Sequence, residues 1–351
     1  MHIRASAVYH KLTQLSMGIT PEQVNEIAEM KVEMKRLKSE VRKSYNKLAK
    51  QQSTESLIHQ AVERSLEGVT IYGVLPQKTK RKSKKQRKKA SEAWLCLSDW
   101  QVGKVTDTYD SKIAAKRVRQ MTNQAADLLK KEEPKVLHVV LQGDMVEGEA
   151  IFAGQPFEID DDLWTQAAKT VPQLITYVIT KLSPLVPKIK IAAVHGNHGR
   201  SGFKGGGHSR KTNWDLVAYN TAKLMCEIAG VKNMTWDISE TWYVKQQVAG
   251  NGILCVHGDQ VGGGNPFNVN AIFKKAMGWT HNIKDWKFLS VGHHHTHASG
   301  ELNRDVYFFL SGSPESGNEF AREKLAQGGL ALQRMCFFNK QGLMPEHLLK
   351  L

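Results

Sequence analysis

The chain has 351 residues, 41% of them hydrophobic and 24% charged, and its formal net charge is +15. This length and apolar content suit one large domain with an appendage and exclude a chain that is disordered throughout. No run of about 18 apolar residues occurs, so the sequence predicts no transmembrane helix. The first residues lack the apolar core and cleavage site of a signal peptide. The four cysteines (Cys96, Cys226, Cys255 and Cys336) have no paired spacing. We therefore expect reduced, buried thiols in a cytoplasmic protein.

The positive charge is concentrated in one short stretch. Residues 1–75 carry 11 basic and 8 acidic side chains, residues 76–91 carry nine basic and none acidic, and residues 92–351 carry 29 basic and 26 acidic. This division, together with the change in pattern at residue 92, predicts three regions. They are a helical N-terminal region (1–75), a basic disordered linker (76–91) and one large domain (92–351).

The N-terminal region has the pattern of a long helix. Thr20-Pro21 begins it with a capping residue and a proline at the first helical position. Apolar side chains then recur at alternating steps of three and four, broken by one serine: Ile27, Met30, Met34, Leu37, Val41, Ser44 and Leu48. About three heptads of this kind suit a coiled coil that forms a homodimer or docks a partner protein. The alternative is an amphipathic helix packed on a second helix near 54–66, and a helix-turn-helix over 12–28 is a weaker reading.

The basic linker cannot bury an apolar core. Its sequence is QKTKRKSKKQRKKAS over residues 77–91, and its nine basic side chains fall within residues 78–89. Such a segment is expected to be disordered. Its lysines and arginines would neutralise phosphates without reading a base sequence, which favours nucleic acid as a partner. The alternative is a solvated hinge that improves solubility.

From residue 92 onward, short apolar runs that end in polar residues alternate with amphipathic helices. Strands are predicted at 93–97, 136–141, 189–194, 253–256 and 288–291, and helices at 112–130, 161–182 and 213–228. This alternation predicts an α/β sheet whose ligands gather at the carboxyl ends of the strands.

Polar side chains follow all five predicted strands: Asp99, Asp144, Asn197, His257, His293 and His295. Carboxylate, amide and imidazole ligands suit Mn²⁺, Fe or Zn²⁺ better than Ca²⁺ or a thiolate site. One carboxylate could bridge two cations roughly 3.5–4 Å apart, which would clamp the oxygens of a phosphoryl displacement. A glycine beside each ligand group (Gly143, Gly196, Gly258 and Gly292) lets the backbone turn sharply. Each element alone is more typical of a core histidine or an ordinary turn than of a metal site, but their order and placement together favour a metal site.

The series Asp99-x-Gln101, Gly143-Asp144, Gly196-Asn197-His198, His257-Gly258 and Gly292-His293-His294-His295 resembles the calcineurin-like metallophosphoesterases over about residues 92–315. The resemblance implies an α/β fold, a four-layer α/β/β/α metallophosphoesterase sandwich with an N-terminal helical extension. The paired metal site would lie at one edge of the two sheets, and residues 330–351 would form strands closing the second sheet.

The resemblance also implies roles for these residues. Asp99, Asp144 and His295, with Gln101 beside them, would hold one metal. Asp144, Asn197, His257 and His293 would hold the other, so that Asp144 bridges the two. His198 matches the general acid of the family. Two divalent ions are expected, Mn²⁺ first, with Mg²⁺, Fe or Zn²⁺ as alternatives.

Two positions depart from the family pattern. The first motif is usually Asp-x-His, and Gln101 stands where the histidine would be. A glutamine carbonyl is a weaker and harder donor than imidazole, so we expect a lower affinity at the first metal. After Asp144, many relatives carry a further Asp or Asn, whereas this chain has Met145-Val146-Glu147. Glu147 either takes the place of that Asp or Asn or faces solvent, and we assign no function to it.

The glycine-rich, basic segment 199–211 directly follows His198. Its four cations are Arg200, Lys204, Arg210 and Lys211. They could grip a phosphate backbone at the rim of the site, and the alternative is a surface loop with solvated charges.

Three functions remain open. The first is a metal-dependent phosphodiesterase acting on DNA or RNA, that is, a nuclease similar to the DNA-repair exonuclease branch of the family. The second is a phosphomonoesterase acting on phosphoprotein or nucleotide. The third, for which Gln101 is the sole hint, is a non-catalytic nucleic-acid-binding scaffold subunit.

Overall fold

The computed structural model describes residues 29–37, 39–40, 91–152, 154–202, 210–261, 268–304, 306–315 and 331–351. The chain divides into two units, of which the first ends at Leu57. In the first unit, residues 29–37 and 39–40 are helical, in agreement with the predicted periodicity. Met30, Met34 and Leu37 of the seam are all exposed there. The rest of the predicted seam, the second helix and nearly all of the basic linker lie outside the described residues.

The second unit contains a six-stranded sheet with the order β11-β10-β1-β2-β3-β4. Its strands are β1 (Glu92–Leu97), β2 (Val136–Leu141), β3 (Lys188–Ala193), β4 (Met234–Ile238), β10 (Leu332–Asn339) and β11 (Gly342–Lys350). Strands β1 to β4 are parallel, and β10 and β11 add to β1 in antiparallel fashion. The carboxyl ends of β1, β2 and β3 therefore lie at one edge of this sheet.

A five-stranded sheet has the order β5-β6-β7-β9-β8. Its strands are β5 (Tyr243–Val248), β6 (Asn251–Val256), β7 (Phe288–Val291), β8 (Ala298–Asn303) and β9 (Val306–Leu310). The central strands β6, β7 and β9 are parallel, and antiparallel strands form the two edges. The carboxyl ends of β6 and β7 are thus neighbours.

The described part of the second unit has four longer helices: α1 (Ser111–Glu132), α2 (Val171–Leu182), α3 (Trp214–Ile228) and α4 (Val269–Asn282). A short helix (Leu163–Thr165) and a π-helical turn (Gln166–Thr170) lead into α2, and 3-10 turns occupy Gln155–Phe157 and Ser183–Leu185. Asp110 caps α1 by accepting a hydrogen bond from the Ile113 amide at 2.6 Å. None of the helices in the described part of the chain is long and apolar enough to cross a bilayer.

Alternating side chains on the strands place the apolar core in three layers. On β1, Leu95 and Leu97 face a cluster shared with α1, α2 and α3, whereas Trp94 and Cys96 face the second sheet. The outer face of the second sheet packs on α4 through Ile272. The layers are therefore helices, sheet, sheet and helix, and the predicted α/β/β/α sandwich is confirmed. All four cysteines are buried and free, as predicted.

The C-terminal strands differ from the prediction in their position. Strand β10 pairs with β1 from Glu92↔Phe338 to Cys96↔Arg334, so β10 and β11 extend the first sheet and do not close the second. Almost every residue of β10 is buried. A strand that is covered on both faces shows no alternation that would assign it to one sheet or the other.

Candidate metal centre

The predicted ligands follow five strand ends and meet where the two sheets are neighbours. Asp99 and Gln101 follow β1, Asp144 follows β2, and Asn197 and His198 follow β3. His257 follows β6, and His293 and His295 follow β7. Asp99 on the first sheet accepts hydrogen bonds from the His293 amide at 3.0 Å, which ties the ends of β1 and β7 together.

Left-handed backbone is concentrated at this site. The φ angle is 55° at Asp99, 43° at Gln101, 51° at Asp144, 66° at His293 and 51° at His295. They are five of the eight non-glycine residues with positive φ in the described part of the chain. Such conformations cost on the order of 1 kcal/mol or more each and persist where the surrounding contacts impose them. The fold therefore contains backbone strain at the residues whose side chains line the candidate metal site.

Asp144, His257 and His293 form a compact group whose ligand atoms lie within 4.8 Å of one another. His257 Nε2 is 3.0 Å from Asn197 Oδ1 and 3.0 Å from Asp144 Oδ2. His257 Nδ1 donates to the Gln142 carbonyl at 2.9 Å, which leaves Nε2 as the atom free to bind a cation.

A divalent cation fits this group of residues. Asp144 Oδ2 is buried and makes no hydrogen bond of good geometry among the described residues. An orphaned buried carboxylate oxygen is costly unless a cation or a donor satisfies it. One carboxylate, one amide oxygen and two imidazoles are the donor set that first-row divalent metals accept.

The Asp99 side of the site is arranged differently. His295 Nε2 is 3.5 Å from Asp99 Oδ1, and its Nδ1 is 3.0 Å from Glu315 Oε2. Gln101 Oε1 accepts a hydrogen bond from Lys104 Nζ at 3.0 Å, and Gln101 Nε2 is 3.4 Å from His198 Nε2. The oxygen with which Gln101 would bind a cation is therefore already bonded to a lysine.

The glycines beside the ligands are required by close approach. A Cβ on Gly196 would lie 2.1 Å from Asp144 Oδ1, and a Cβ on Gly143 would lie 2.5 Å from the Gly196 nitrogen. A Cβ on Gly292 would lie 2.9 Å from Asp99 Oδ2. Any side chain at these positions would displace a ligand.

His198 is held by Glu147, which the sequence reading left without a role. His198 Nδ1 lies 2.9 Å from the Glu147 carbonyl and 3.2 Å from its carboxylate. Glu147 does not face solvent, since only 2% of its surface is exposed. Burial disfavours the protonated imidazole, but the carboxylates of Glu147 and Asp144 outweigh it and raise the pKa of His198 to about 9. The arrangement keeps a proton on His198 and leaves its Nε2 directed toward the site.

The buried carboxylates also affect the pKa values of the other histidines at this site. Burial opposes their charge, yet Asp144 raises the pKa of His257 to about 10. Asp99 and Glu315 likewise raise the pKa of His295 to about 10. Burial and the neighbouring His257 lower the pKa of His293 to about 3. The carboxylates therefore favour positive charge at this site, and a bound metal replaces the protons that would otherwise supply it.

Comparison with known proteins agrees with this geometry. The family model for calcineurin-like phosphoesterases matches residues 95–329, about two thirds of the chain. The chain belongs to the calcineurin-like phosphoesterase family.

Solved structures with similar folds are distant. Vps29 from Chaetomium thermophilum is 11% identical, with a TM-score of 0.32, over 71% of this chain and 82% of that one. A 5'-nucleotidase from Candida albicans is 8% identical, with a TM-score of 0.34, over 73% of this chain and 51% of that one. A protein of unknown function from Aquifex aeolicus, AQ665, is 13% identical, with a TM-score of 0.27, over 61% of this chain and 82% of that one. No curated protein matches. The family assignment rests on the family model.

In this calcineurin-like phosphoesterase, Asp215 fixes the loops that carry the ligands, and sequence reasoning missed it. Its carboxylate accepts hydrogen bonds from the amides of Asp144 (3.0 Å), Met145 (3.1 Å), Val146 (3.3 Å) and Gly196 (2.8 Å). Asp215 lies in the first turn of α3 and is fully buried. The N-terminus of this helix thereby joins the end of β2 to the end of β3. Only the predicted start of the helix at Asn213 pointed to this region.

The basic segment predicted to bind substrate is only partly described. The Arg200 side chain donates to the Asn197 carbonyl, next to the candidate ligand. Lys211 Nζ pairs with Glu240 at 2.8 Å on the surface, and Arg210 is exposed. Lys204 lies outside the described residues. A substrate-binding role for these four cations stays a prediction, and Arg200 is the one whose contact adjoins the site.

Proposed function

We propose that this calcineurin-like phosphoesterase hydrolyses phosphodiester bonds and acts as a nuclease on DNA or RNA. The observation that carries the proposal is the group of Asp144, Asn197, His257 and His293 beside the buried His198–Glu147 pair. Asp144, Asn197, His257 and His293 would hold one divalent cation, and Asp99 and His295 would hold another, with Mn²⁺ the first choice. Bound there, such ions would supply Lewis acidity and lower the pKa of water for phosphoester hydrolysis.

His198 is the proton donor in this proposal. Glu147 holds its Nδ1, so the ring presents Nε2 to the leaving oxygen of the substrate. A positioned acid of this kind contributes about 10²–10⁴-fold to the rate. Glu147 acts through His198 and is a positioning residue.

Two features support a nucleic-acid substrate. The Phe152 ring lies with its edge toward His198, at 6.4 Å between centroids, and is 41% exposed. Phe157, in the same loop, is 93% exposed. Exposed aromatic rings beside phosphate chemistry are stacking surfaces for nucleobases. The nine basic side chains of residues 78–89 would add contacts to the phosphate backbone.

The full chain, loaded with Mn²⁺, tests this function directly. Bis-p-nitrophenyl phosphate and p-nitrophenyl phosphate are offered side by side, followed by labelled single- and double-stranded DNA and RNA. We expect diester cleavage and cutting of at least one nucleic acid, both lowered at least 100-fold in His198→Ala. His281→Ala, an exposed histidine at the end of α4, is the matched control and should retain full activity. A clear preference for the monoester would contradict the proposed nuclease activity and would indicate a phosphomonoesterase.

A further inference from the structure

Lys104 is a largely buried cation at the entrance to the Asp99 side of the site. Its side chain is 13% exposed, and the backbone is fixed by a hydrogen bond from the Lys104 amide to the Gln101 carbonyl at 3.1 Å. Lys104 Nζ lies 3.0 Å from Gln101 Oε1 and 3.4 Å from Glu315 Oε1. A buried ammonium is tolerated only with such partners, so these contacts hold it in place.

The contacts of Lys104 use the groups that a cation on the Asp99 side would need. Gln101 has one side-chain oxygen, and Lys104 bonds to it. Glu315 Oε2 lies 3.0 Å from His295 Nδ1, and Glu315 Oε1 forms an ion pair with Lys104 at 3.4 Å. His295 Nε2 in turn lies 3.5 Å from Asp99. The ammonium is thus joined to this side of the site through a neutral amide and through a carboxylate.

On the Asp144 side, no lysine or arginine of the described residues forms an ion pair with a candidate ligand. There Asp144 Oδ2 lies 3.0 Å from His257 Nε2, which is itself a candidate ligand atom. The ligand atoms of Asp144, His257 and His293 lie within 4.8 Å of one another. A fixed positive charge near one side repels a divalent ion most strongly on that side, because the screening of buried charges is weak.

We propose that Lys104 is a built-in cation that partly replaces the metal on the Asp99 side. The protein then binds one divalent ion tightly through Asp144, Asn197, His257 and His293, and a second one at least tenfold more weakly through Asp99 and His295. This inference rests on the metal site of the proposed function, but it does not depend on which phosphoester is cleaved. Lys104 would present a permanent positive charge to the bound phosphate at any metal concentration.

Equilibrium dialysis and isothermal titration of the full chain with Mn²⁺ test the proposal. The wild type should bind one Mn²⁺ tightly and a second at least tenfold more weakly. At one equivalent, its electron paramagnetic resonance spectrum should be that of an isolated Mn²⁺ ion. Lys104→Met keeps the length of the side chain and removes the charge, so it should tighten the second site at least tenfold. At two equivalents, this variant should show a spin-coupled pair.

Three further substitutions separate the effect of the Lys104 charge from other effects on Mn²⁺ binding. Lys104→Arg keeps the charge and should behave like the wild type, and Lys112→Met, an exposed lysine of α1, is the matched control. Gln101→His should tighten the second site more strongly in the Lys104→Met background than alone. Thermal unfolding of each variant identifies any that fail to fold. Equal affinity for two ions in the wild type, or unchanged binding in a folded Lys104→Met, overturns the proposal. Normal Mn²⁺ binding without hydrolysis of any phosphoester would overturn only the proposed function.

Discussion

The two sides of the metal centre are built unequally, although the sequence motifs that supply them look alike. The Asp144 side combines a converging group of candidate ligands with the support of Asp215. On the Asp99 side, Glu315 holds His295 Nδ1 much as Gln142 holds His257 Nδ1, but the Gln101 oxygen is bonded to Lys104. The sequence motifs thus specify which side chains come together at the site. The residues in contact with those side chains determine how tightly each side binds a metal ion.

The largest difference between the sides is expected from removing their carboxylates. Asp144→Asn should abolish Mn²⁺ binding in equilibrium dialysis and lower diester hydrolysis by about 10³-fold or more, since it removes both the ligand and the charge that holds the ion. Asp99→Asn should lose the weak ion and retain the tight one. Asp127→Asn, an exposed carboxylate of α1, is the control. If both site variants retained one tight ion, the two sides would be equivalent and the comparison would be wrong.

Glu147→Gln should reduce kcat about 10- to 100-fold, because a neutral amide holds the protonated His198 less firmly than a carboxylate does. The KM for the diester and the number of bound Mn²⁺ ions should change little. Steady-state kinetics with metal analysis separates these quantities. A loss of Mn²⁺ equal to the loss of kcat would place Glu147 among the metal-holding residues and not with His198.

Asp215→Ala should destabilise the fold and weaken the Asp144 side alone. Four backbone amides would lose their acceptor, and unsatisfied buried donors cost about 1–3 kcal/mol each before the structure relaxes. We expect the free energy of unfolding in urea to fall by about 3 kcal/mol. The affinity of the tight ion should drop about 10- to 100-fold.

Glu240→Gln provides the contrast for Asp215. It breaks an exposed pair with Lys211 and should leave the free energy of unfolding unchanged within the error of the measurement. An Asp215→Ala protein with wild-type stability and affinity would show that the loops hold their shape without this helix.

The smallest effect is expected at the opposite end of β1 from Asp99. Glu92 bonds to His138 at 2.8 Å and to the Ala249 amide at 2.8 Å. Burial works against its charge, but these contacts lower the pKa of Glu92 from 4.5 to about 2. A depressed carboxyl pKa stabilises the fold fully above the unfolded value, and the contribution is lost as the pH falls from 4.5 toward 2.

Glu92→Gln should therefore be less stable than the wild type by about 1 kcal/mol at pH 7, with the gap closing below pH 4.5. Urea unfolding at several pH values measures the gap, and Mn²⁺ binding should not change. A gap that is independent of pH would show that the charge of Glu92 contributes nothing.

Much of the fold and the strand ends that carry the candidate ligands could be predicted because both follow from local pattern. Apolar runs that end in Gly-Asp or Gly-Asn-His marked the ends of β2 and β3, and the structure brings the predicted ligands together there. Strands β4, β5, β8 and β9 were not recognised, since they carry no polar motif at their ends. The C-terminal strands were assigned to the wrong sheet. Strand β10 is buried along almost its whole length, which removed the alternation that would have placed it, and β11 is its antiparallel partner.

The supporting residues could not be predicted for a different reason. Asp215 contacts Asp144 across 71 residues of sequence, and Glu315 contacts His295 across 20. Nothing in the neighbouring sequence distinguishes these carboxylates from solvated ones. Their roles depend on which loops the fold brings into contact, and only the three-dimensional arrangement shows it.

The five left-handed residues at the strand ends have a consequence for how this protein would change under selection. At His293, glycine would adopt the same backbone without strain and would stabilise the chain by about 1 kcal/mol. A screen for heat resistance alone should therefore enrich glycine at such positions, and a screen for hydrolysis should remove it again. Selection for thermal stability and selection for catalysis would therefore favour different residues at the same few positions of this protein.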